Sequence, residues 1–438
     1  MNAIGEARRV VRWSLRHGVI RQVLLRKLRA GDPIARLMLD PSVAADPFRH
    51  YAALRERGPL VHNGFAFHTA HHDVAIDILR SPDFGVVGAP GGASPALIKA
   101  LARLGGRGPV GPVEVPSMLV SNPPAHTRYR KLVSQAFTGR AVAALRGRTE
   151  QITKQLLDDL DTATGPADLI GQYAALLPAT VIAEVLGAPA GMRGRFLQWG
   201  AAAGLSLDAG LTFREFTRSE RGTAALSAWM AGHLDRLAES PGEDILSDLV
   251  RARAGGNGLT SDELTSIGVL LLGAGFETTL NLIGNGVVQL TAHPGQLGVL
   301  REDPRLWPNA VDEILRFDAP VQQTARIAVR DTEVAGQHVR AGQAVIIMLG
   351  GANRDPAVFA DPGRFDVTRE NAGAHLTFSN GIHYCLGAGL AKLEGAVGLR
   401  ELFERFPSLA LAGPPRRRPN RVLRGFDLLP VRLRPASS

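Results

Sequence analysis

One cysteine, Cys385, occurs in 438 residues. A lone thiol excludes an intrachain disulfide, and it lacks the companion thiolates that a structural zinc site wants. The want of a disulfide framework fits a reducing cytoplasm, the expected location. No Ser/Gly linker, internal repeat or low-complexity tract divides the chain. One large domain is therefore expected, although the length alone would accommodate two or three. The first thirty residues hold no clean apolar run of the kind that opens a secretory signal, because charges interrupt them throughout. Aromatic residues are only 5% of the whole and do not interleave with the basic stretches. Nucleotide stacking needs that interleaving, so nucleic-acid binding is set aside.

Acidic residues are scarce at the two ends. Residues 1–30 carry eight Arg/Lys against one Glu, and residues 413–438 carry seven Arg against one Asp. Of a net charge of +9, these ends account for +7 and +6, which leaves −4 for everything between. The charge thus belongs to the ends rather than to a basic fold. Residues 1–40 read as a basic, helical amino-terminal extension ahead of the main domain, 41–438. Its opening mixes Arg with Val, Trp, Leu and Ile at helical spacing. It can lie weakly on a membrane surface or dock a partner, against the plainer reading of a solvated helix packed by one face.

The most informative stretch is FSNGIHYCLG, Phe378 to Gly387, around that single cysteine. A thiolate acting alone serves as a nucleophile or as the axial ligand of haem iron; the plain alternative is a small buried hydrophobe. Glycines 381 and 387 would let backbone approach a large planar cofactor. The following AGLAKLEG reads as a helix whose positive end lies near the sulfur. The pattern F-x-x-G-x-H-x-C-x-G resembles the haem-thiolate loop of the cytochrome P-450 superfamily, in its soluble bacterial branch and most like actinobacterial members. Ser379-Asn380 departs from it, since a glycine commonly follows the Phe. The resemblance covers residues 40–435 through four ordered motifs: HTRYR, AGFETT, EILR and FSNGIHYCLG. It implies a mainly α fold with a smaller β region, a single large domain, and a long central helix over a haem b (iron protoporphyrin IX) whose iron Cys385 ligates.

That helix is legible on its own terms. Thr260 and Glu263 form a capping box, Pro294 ends the run at His293, and the span is about 50 Å at 1.5 Å per residue. Only Glu277 is charged between Ile267 and Leu290, which raises a membrane-spanning reading. Glu277, Asn281, Asn285 and Gln289 recur every four residues as a polar stripe. A buried central helix is therefore preferred, with no transmembrane segment. Glycines 273 and 275 are tolerable there if a flat cofactor or dioxygen must come close. Thr278 can simply bond back to the preceding turn. By resemblance, Glu277 and Thr278 are instead the acid–alcohol pair that feeds protons to oxygen, and Ala274 lines the substrate pocket.

The remaining motifs extend the resemblance. His126 and Arg130 lie four apart on one helical face. With Arg326 and His383 they match the residues that hold the haem propionates, and Phe378 and Gly387 complete the cofactor contacts. Glu313 and Arg316 match a buried structural pair near the haem, with Arg364 or Arg369 as a third member. Residues 46–57 read as a helix, Asn63-Gly64 as a hairpin turn, and 320–349 as the main strand region. The long Gly/Pro-rich loop from Gly85 to Pro116, with a helical piece at Pro95–Leu104, is a candidate substrate-facing segment. Residues 196–216 resemble two lid helices and their joining loop. Val321, Gln322 and Thr324 would line the pocket, and Phe426 would touch substrate from a hairpin tip.

These readings imply a monooxygenase that inserts one atom of O2 into an apolar small molecule by hydroxylation or epoxidation. Electrons would come from a separate ferredoxin with its ferredoxin reductase, docking near Arg128, Lys131 and Lys392. Two alternatives stand: a peroxide-using or rearranging haem-thiolate enzyme, and a catalytically idle ligand- or partner-binding relative.

Overall fold

The computed structural model describes residues 3–86, 103–162, 165–254 and 259–433. Most of the helical piece expected at Pro95–Leu104 lies outside them. The fold is mainly helical with small sheets, a single domain. Its axis is the central helix, Ser261–Ala292. The Thr260 side chain accepts from the Glu263 N–H at 3.2 Å, and Glu263 Oε2 accepts from the Thr260 N–H at 2.8 Å, closing the expected capping box. Glu263 also accepts from the Tyr129 hydroxyl at 2.6 Å and from Arg128. The same cap therefore anchors the helix Ala125–Val133, which carries His126 and Arg130.

The central helix is long and apolar enough to cross a membrane, but most of it is buried among other helices. Its polar stripe explains itself in the fold. Asn285 donates to the carbonyls of Asp318 (2.8 Å) and Arg424 (3.2 Å), and Gln289 to the Asp318 carboxylate (3.4 Å). Gly425 sits so tightly on Asn281 that any Cβ would overlap the amide. Asn281 and Asn285 of the stripe form a buried socket for the carboxy-terminal loop, with Gln289 half-buried at its edge.

Two lid helices, Arg193–Gly204 and Phe213–Glu239, pack across the central helix, joined by residues 205–212. The helix after the cysteine, Ala388–Arg405, packs on it as well. A five-stranded sheet stands to one side. It comprises β1 (Val61–His62), β2 (Ala66–Thr69), β3 (Phe84–Gly85), β4 (Thr324–Ala328) and β5 (Ala344–Ile347), in the order β1-β2-β5-β4-β3. Only β2 and β5 run parallel, and Arg326 pairs with Val345 across β4 and β5. Gly64, at φ +92°, makes the expected turn between β1 and β2. Alternation along β4 buries Ile327 partly and Arg326 almost wholly, which is unusual for an arginine and fixes where its guanidinium can go.

Residues 3–29 and 416–433 are packed on the rest of the fold. Helices Ala3–Trp13 and Val19–Arg29 lie on the lid, with Leu24 buried against Ala35 and Leu39. At the other end Arg424 and Arg417 clasp Asp318 at 2.6 and 3.0 Å. Those guanidinium groups hold the Asp318 carboxyl well below the usual carboxylate range despite its burial. The charge excess assigned to the ends is thus in good part internal wiring, a correction that linear counting could not supply.

Candidate active site

The loop before Cys385 is held open by backbone geometry. The Cys385 N–H donates to the Phe378 carbonyl at 2.9 Å, and Asn380 caps Gly381 at 2.7 Å while accepting from Arg80 at 3.0 Å. Gly381, at φ +68°, lies against the Leu79 carbonyl with no room for a Cβ. Its smallness serves that packing and not a cofactor's approach, as the sequence suggested. Gly387 does face open space. Cys385 is exposed as a residue, three positions ahead of the helix Ala388–Arg405, although protein encloses its sulfur. Surrounding protein pushes it up, against the Gly387 N–H and the nearby Arg130, which favour the thiolate.

His126 and His383 stand with ring centroids 4.1 Å apart. Both feel the charges of Arg130 and Arg326, and burial with these cations depresses His383 to about 3. Arg326 donates to Thr324 Oγ1 (3.3 Å), the Ala325 carbonyl (2.9 Å) and, at 3.4 Å, Ser379 Oγ. Burial draws it down to about 10. No carboxylate pairs with Arg130 or Arg326 among the described residues, and the buried His383 Nε2 has no partner. Two guanidinium groups and two imidazoles thus converge without an acid. Buried cations are ordinarily paired, so the cluster is shaped for an anion that the chain does not provide.

The central helix opens a window in its middle. Ala274 is exposed and Thr278, one turn on, is half-buried, while the flanking stretches 263–272 and 279–287 are buried. Gly273 faces open space, whereas Gly275 is needed because Ile182 presses on it, which narrows the expectation for that pair. Thr278 Oγ1 donates to the Ala274 carbonyl at 3.1 Å, the plain back-bond. Glu277 points elsewhere: Oε2 takes a 2.6 Å bond from Arg418, and Oε1 is buried without a partner. Burial raises its carboxyl, with Arg418 opposing. Arg418 also donates to the Phe426 carbonyl at 3.2 Å.

Two pocket expectations need correction. Gln322 is enclosed, donating to the Ala319 carbonyl (2.7 Å) and accepting from Tyr51 (3.1 Å), so it braces the fold. Phe426 is a core residue, 1% exposed, under the Arg417 guanidinium at 4.1 Å. It begins a strand at the base of the hairpin rather than its tip. Leu423, nearer the tip, bridges to Val321 and approaches Gly204 of the lid. Val321 and Thr324 are half-buried at the mouth of β4. Sequence reasoning also missed Arg418 and Asp208, whose carboxylate accepts the N–H groups of Arg421 and Val422. Arg418 sat in the run Arg416–Arg418, where charge alone gives no sign that one side chain turns inward.

Glu313 and Arg316 form the expected pair, fully buried and bidentate at 2.6 and 2.7 Å. Arg369 is the third member at 3.3 Å; Arg364 contributes its carbonyl and pairs its side chain with Asp366. Of the surface cations, Lys131 is exposed, Lys392 meets Asp312 at 2.6 Å, and Arg128 is engaged by Glu263.

A single thiol near an acid-free cation cluster, in a fold built on a long helix exposed at Ala274, fits the haem-thiolate class. The family model Cytochrome P450 matches residues 214–426. The chain is 48% identical over 429 residues to the putative cytochrome P450 140 of Mycobacterium tuberculosis, covering 97% of this chain and 98% of that one. It is 41% identical over 401 residues to the 6-deoxyerythronolide B hydroxylase of Saccharopolyspora erythraea, covering 90% and 97%. Among solved structures, P450BioI in complex with a fatty-acyl-ligated acyl carrier protein superposes with TM-score 0.81 at 32% identity, covering 90% of this chain and all of that one. The chain belongs to the cytochrome P450 family, with actinobacterial relatives, and is a monooxygenase that takes a haem-iron cofactor.

Proposed function

We propose that Cys385 ligates haem b, that His126, Arg130, Arg326 and His383 take its two propionates, and that the enzyme hydroxylates or epoxidises an apolar small molecule. The observation that carries this is the acid-free cluster with the orphaned His383 Nε2: two carboxylates are what its four donors want. When bound, the haem supplies dioxygen activation, assisted by electron density from the thiolate. The chain's own tasks follow from its geometry. Phe378 and Gly387 shape the proximal contact. Ala274 leaves room beside the helix window, where the Thr278 hydroxyl can exchange its back-bond for a water. Glu277, half-satisfied on Arg418, can hold a proton and deliver it toward Thr278 by turning its side chain away from Arg418. Val321, Thr324 and Leu423 line the approach and keep bulk water out.

The substrate class we favour is lipid-like or polyketide-like, free or carrier-bound. A hydroxylase of 6-deoxyerythronolide B among the relatives and an acyl-carrier complex among the neighbours support it. We further infer a cytoplasmic enzyme supplied by an acidic ferredoxin and its reductase. Lys131 is the best placed docking cation, with Arg128 and Lys392 already committed to Glu263 and Asp312. The deciding experiment is the spectrum of the reduced protein under carbon monoxide. A strongly red-shifted Soret band that Cys385→Ala abolishes is expected; haem-free protein from haem-replete cells would overturn the reading.

A further inference from the structure

The amino-terminal helix is wired to the lid with unusual density. Arg9 Nε lies 2.9 Å from Glu220 Oε2. Arg12 makes a two-pronged contact with the same carboxylate at 2.7 and 2.9 Å, and a further bond to the Gly105 carbonyl at 2.6 Å. Trp13 donates to the Leu211 carbonyl at 2.8 Å and packs edge-on against Phe213. Arg21 reaches the Gly210 carbonyl at 3.1 Å, and Arg16 pairs with Glu114. The amino-terminal helical stretch therefore joins two segments that are far apart in sequence, the lid connection with the first turns of Phe213–Glu239 (205–220) and the loop 105–114.

Those segments flank a cavity of about 340 Å³, lined by Arg16, His17, Glu114, Ser206, Phe216 and Glu220 among others. Just before the connection, Gly204 at the end of the first lid helix approaches Leu423, which bridges to Val321, and Glu277 of the central helix, while Asp208 within the connection holds the carboxy-terminal loop. A bulky molecule passing between the loop and the lid has to part them, and the amino-terminal helix spans the gap. The ion pair is mostly enclosed, with side-chain exposure of 16% for Arg9, 13% for Arg12 and 10% for Glu220. Charges so placed are screened little by salt, and they are costly to strand singly.

We propose that Arg9, Arg12 and Glu220 form a clasp that sets which ligands enter by size: it slows bulky molecules and leaves diatomic gases unaffected. The clasp makes the first forty residues part of the specificity apparatus, distinct from the haem contacts. The proposal rests on the haem reading above only for its optical readout.

The test uses full-length holoenzyme with two probes, carbon monoxide and the bulky azole econazole, followed by stopped flow at the Soret band. Glu220→Gln and the pair Arg9→Gln/Arg12→Gln should each raise the azole on-rate about tenfold, the order that a lost enclosed ion pair implies, with the carbon monoxide on-rate unchanged. Glu220→Arg combined with Arg9→Glu and Arg12→Glu should restore slow azole entry, which a fold defect would not. Backbone hydrogen exchange in residues 5–13 should rise about tenfold in Glu220→Gln, a readout that stands even if no haem is bound. An unchanged azole on-rate in both variants would overturn the proposal. So would an equal rise for both probes, or unchanged exchange.

Discussion

Arg316 and Arg424 are as deeply buried as Arg326, yet the first two each meet a carboxylate and the third meets none among the described residues. Arg316 is further satisfied by the carbonyls of Asn353, Pro362 and Arg364. Arg326 has weak contacts with Thr324 and Ser379 and a bond to its neighbour's carbonyl. The residue type and the burial agree, and the pairing differs. A buried cation with its acid in the chain is part of the framework; one without is waiting for an acid from outside.

The framework side should break hardest. Glu313→Ala strands Arg316 and Arg369 in the interior, and we expect a loss of about 3–5 kcal/mol, read by urea denaturation or as failure to accumulate folded protein. Arg326→Leu should do the opposite to the apoprotein, leaving its stability unchanged or slightly higher because an uncompensated charge has been removed. Haem transfer to an acceptor globin should meanwhile quicken about tenfold or more, the worth of one charge-assisted hydrogen bond. If Arg326→Leu unfolded the apoprotein as Glu313→Ala does, the two groups would be alike and the cluster merely structural.

Glu394 sharpens the comparison from the other sign. It is 1% exposed on the post-cysteine helix, Oε2 has no partner, and burial raises its carboxyl well above its ordinary 4.5. The folded state therefore keeps a proton that the unfolded chain releases above about 4.5. Its stabilising share is complete below that pH and declines as pH rises toward the folded value. Glu394→Gln carries no such titration. The stability gap between variant and wild type should widen in the variant's favour by about 1.4 kcal/mol per pH unit from pH 5 upward. Parallel pH profiles would show that Glu394 has a partner after all.

These contrasts mark how far the chain could be read before its structure. Periodicity and caps placed the central helix from Thr260 to His293, and alternation placed β4 and β5, because both depend on neighbours along the chain. The cysteine loop was legible through its dense local pattern. What was not legible was inward wiring between distant segments: Arg418 to Glu277 across 141 positions, Arg12 to Glu220 across 208. An arginine run looks the same whether it is solvated or internal. For the same reason Phe426 and Gln322 were read as pocket residues; their spacing was right for the region, but which side faces the core is settled by partners elsewhere.

Ser379 gives the smallest effect and the finest discrimination. It holds φ +62°, a left-handed conformation that costs an L-residue about 1–2 kcal/mol, at the position where a glycine would be expected. Glycine relieves that cost but gives back about 0.5–1 kcal/mol in chain entropy. Ser379→Gly should therefore stabilise the fold by about 0.5–1 kcal/mol, visible as a small rise in Tm. The serine hydroxyl also lies 3.4 Å from Arg326, the unpaired guanidinium. If that long contact orients the guanidinium toward the cofactor's acid groups, the same substitution should modestly quicken haem loss while raising apoprotein stability. Opposite signs in the two measurements would place Ser379 on the waiting side of the comparison. Matching signs would place it with the framework, its strained backbone then a cost borne without a gain in haem retention.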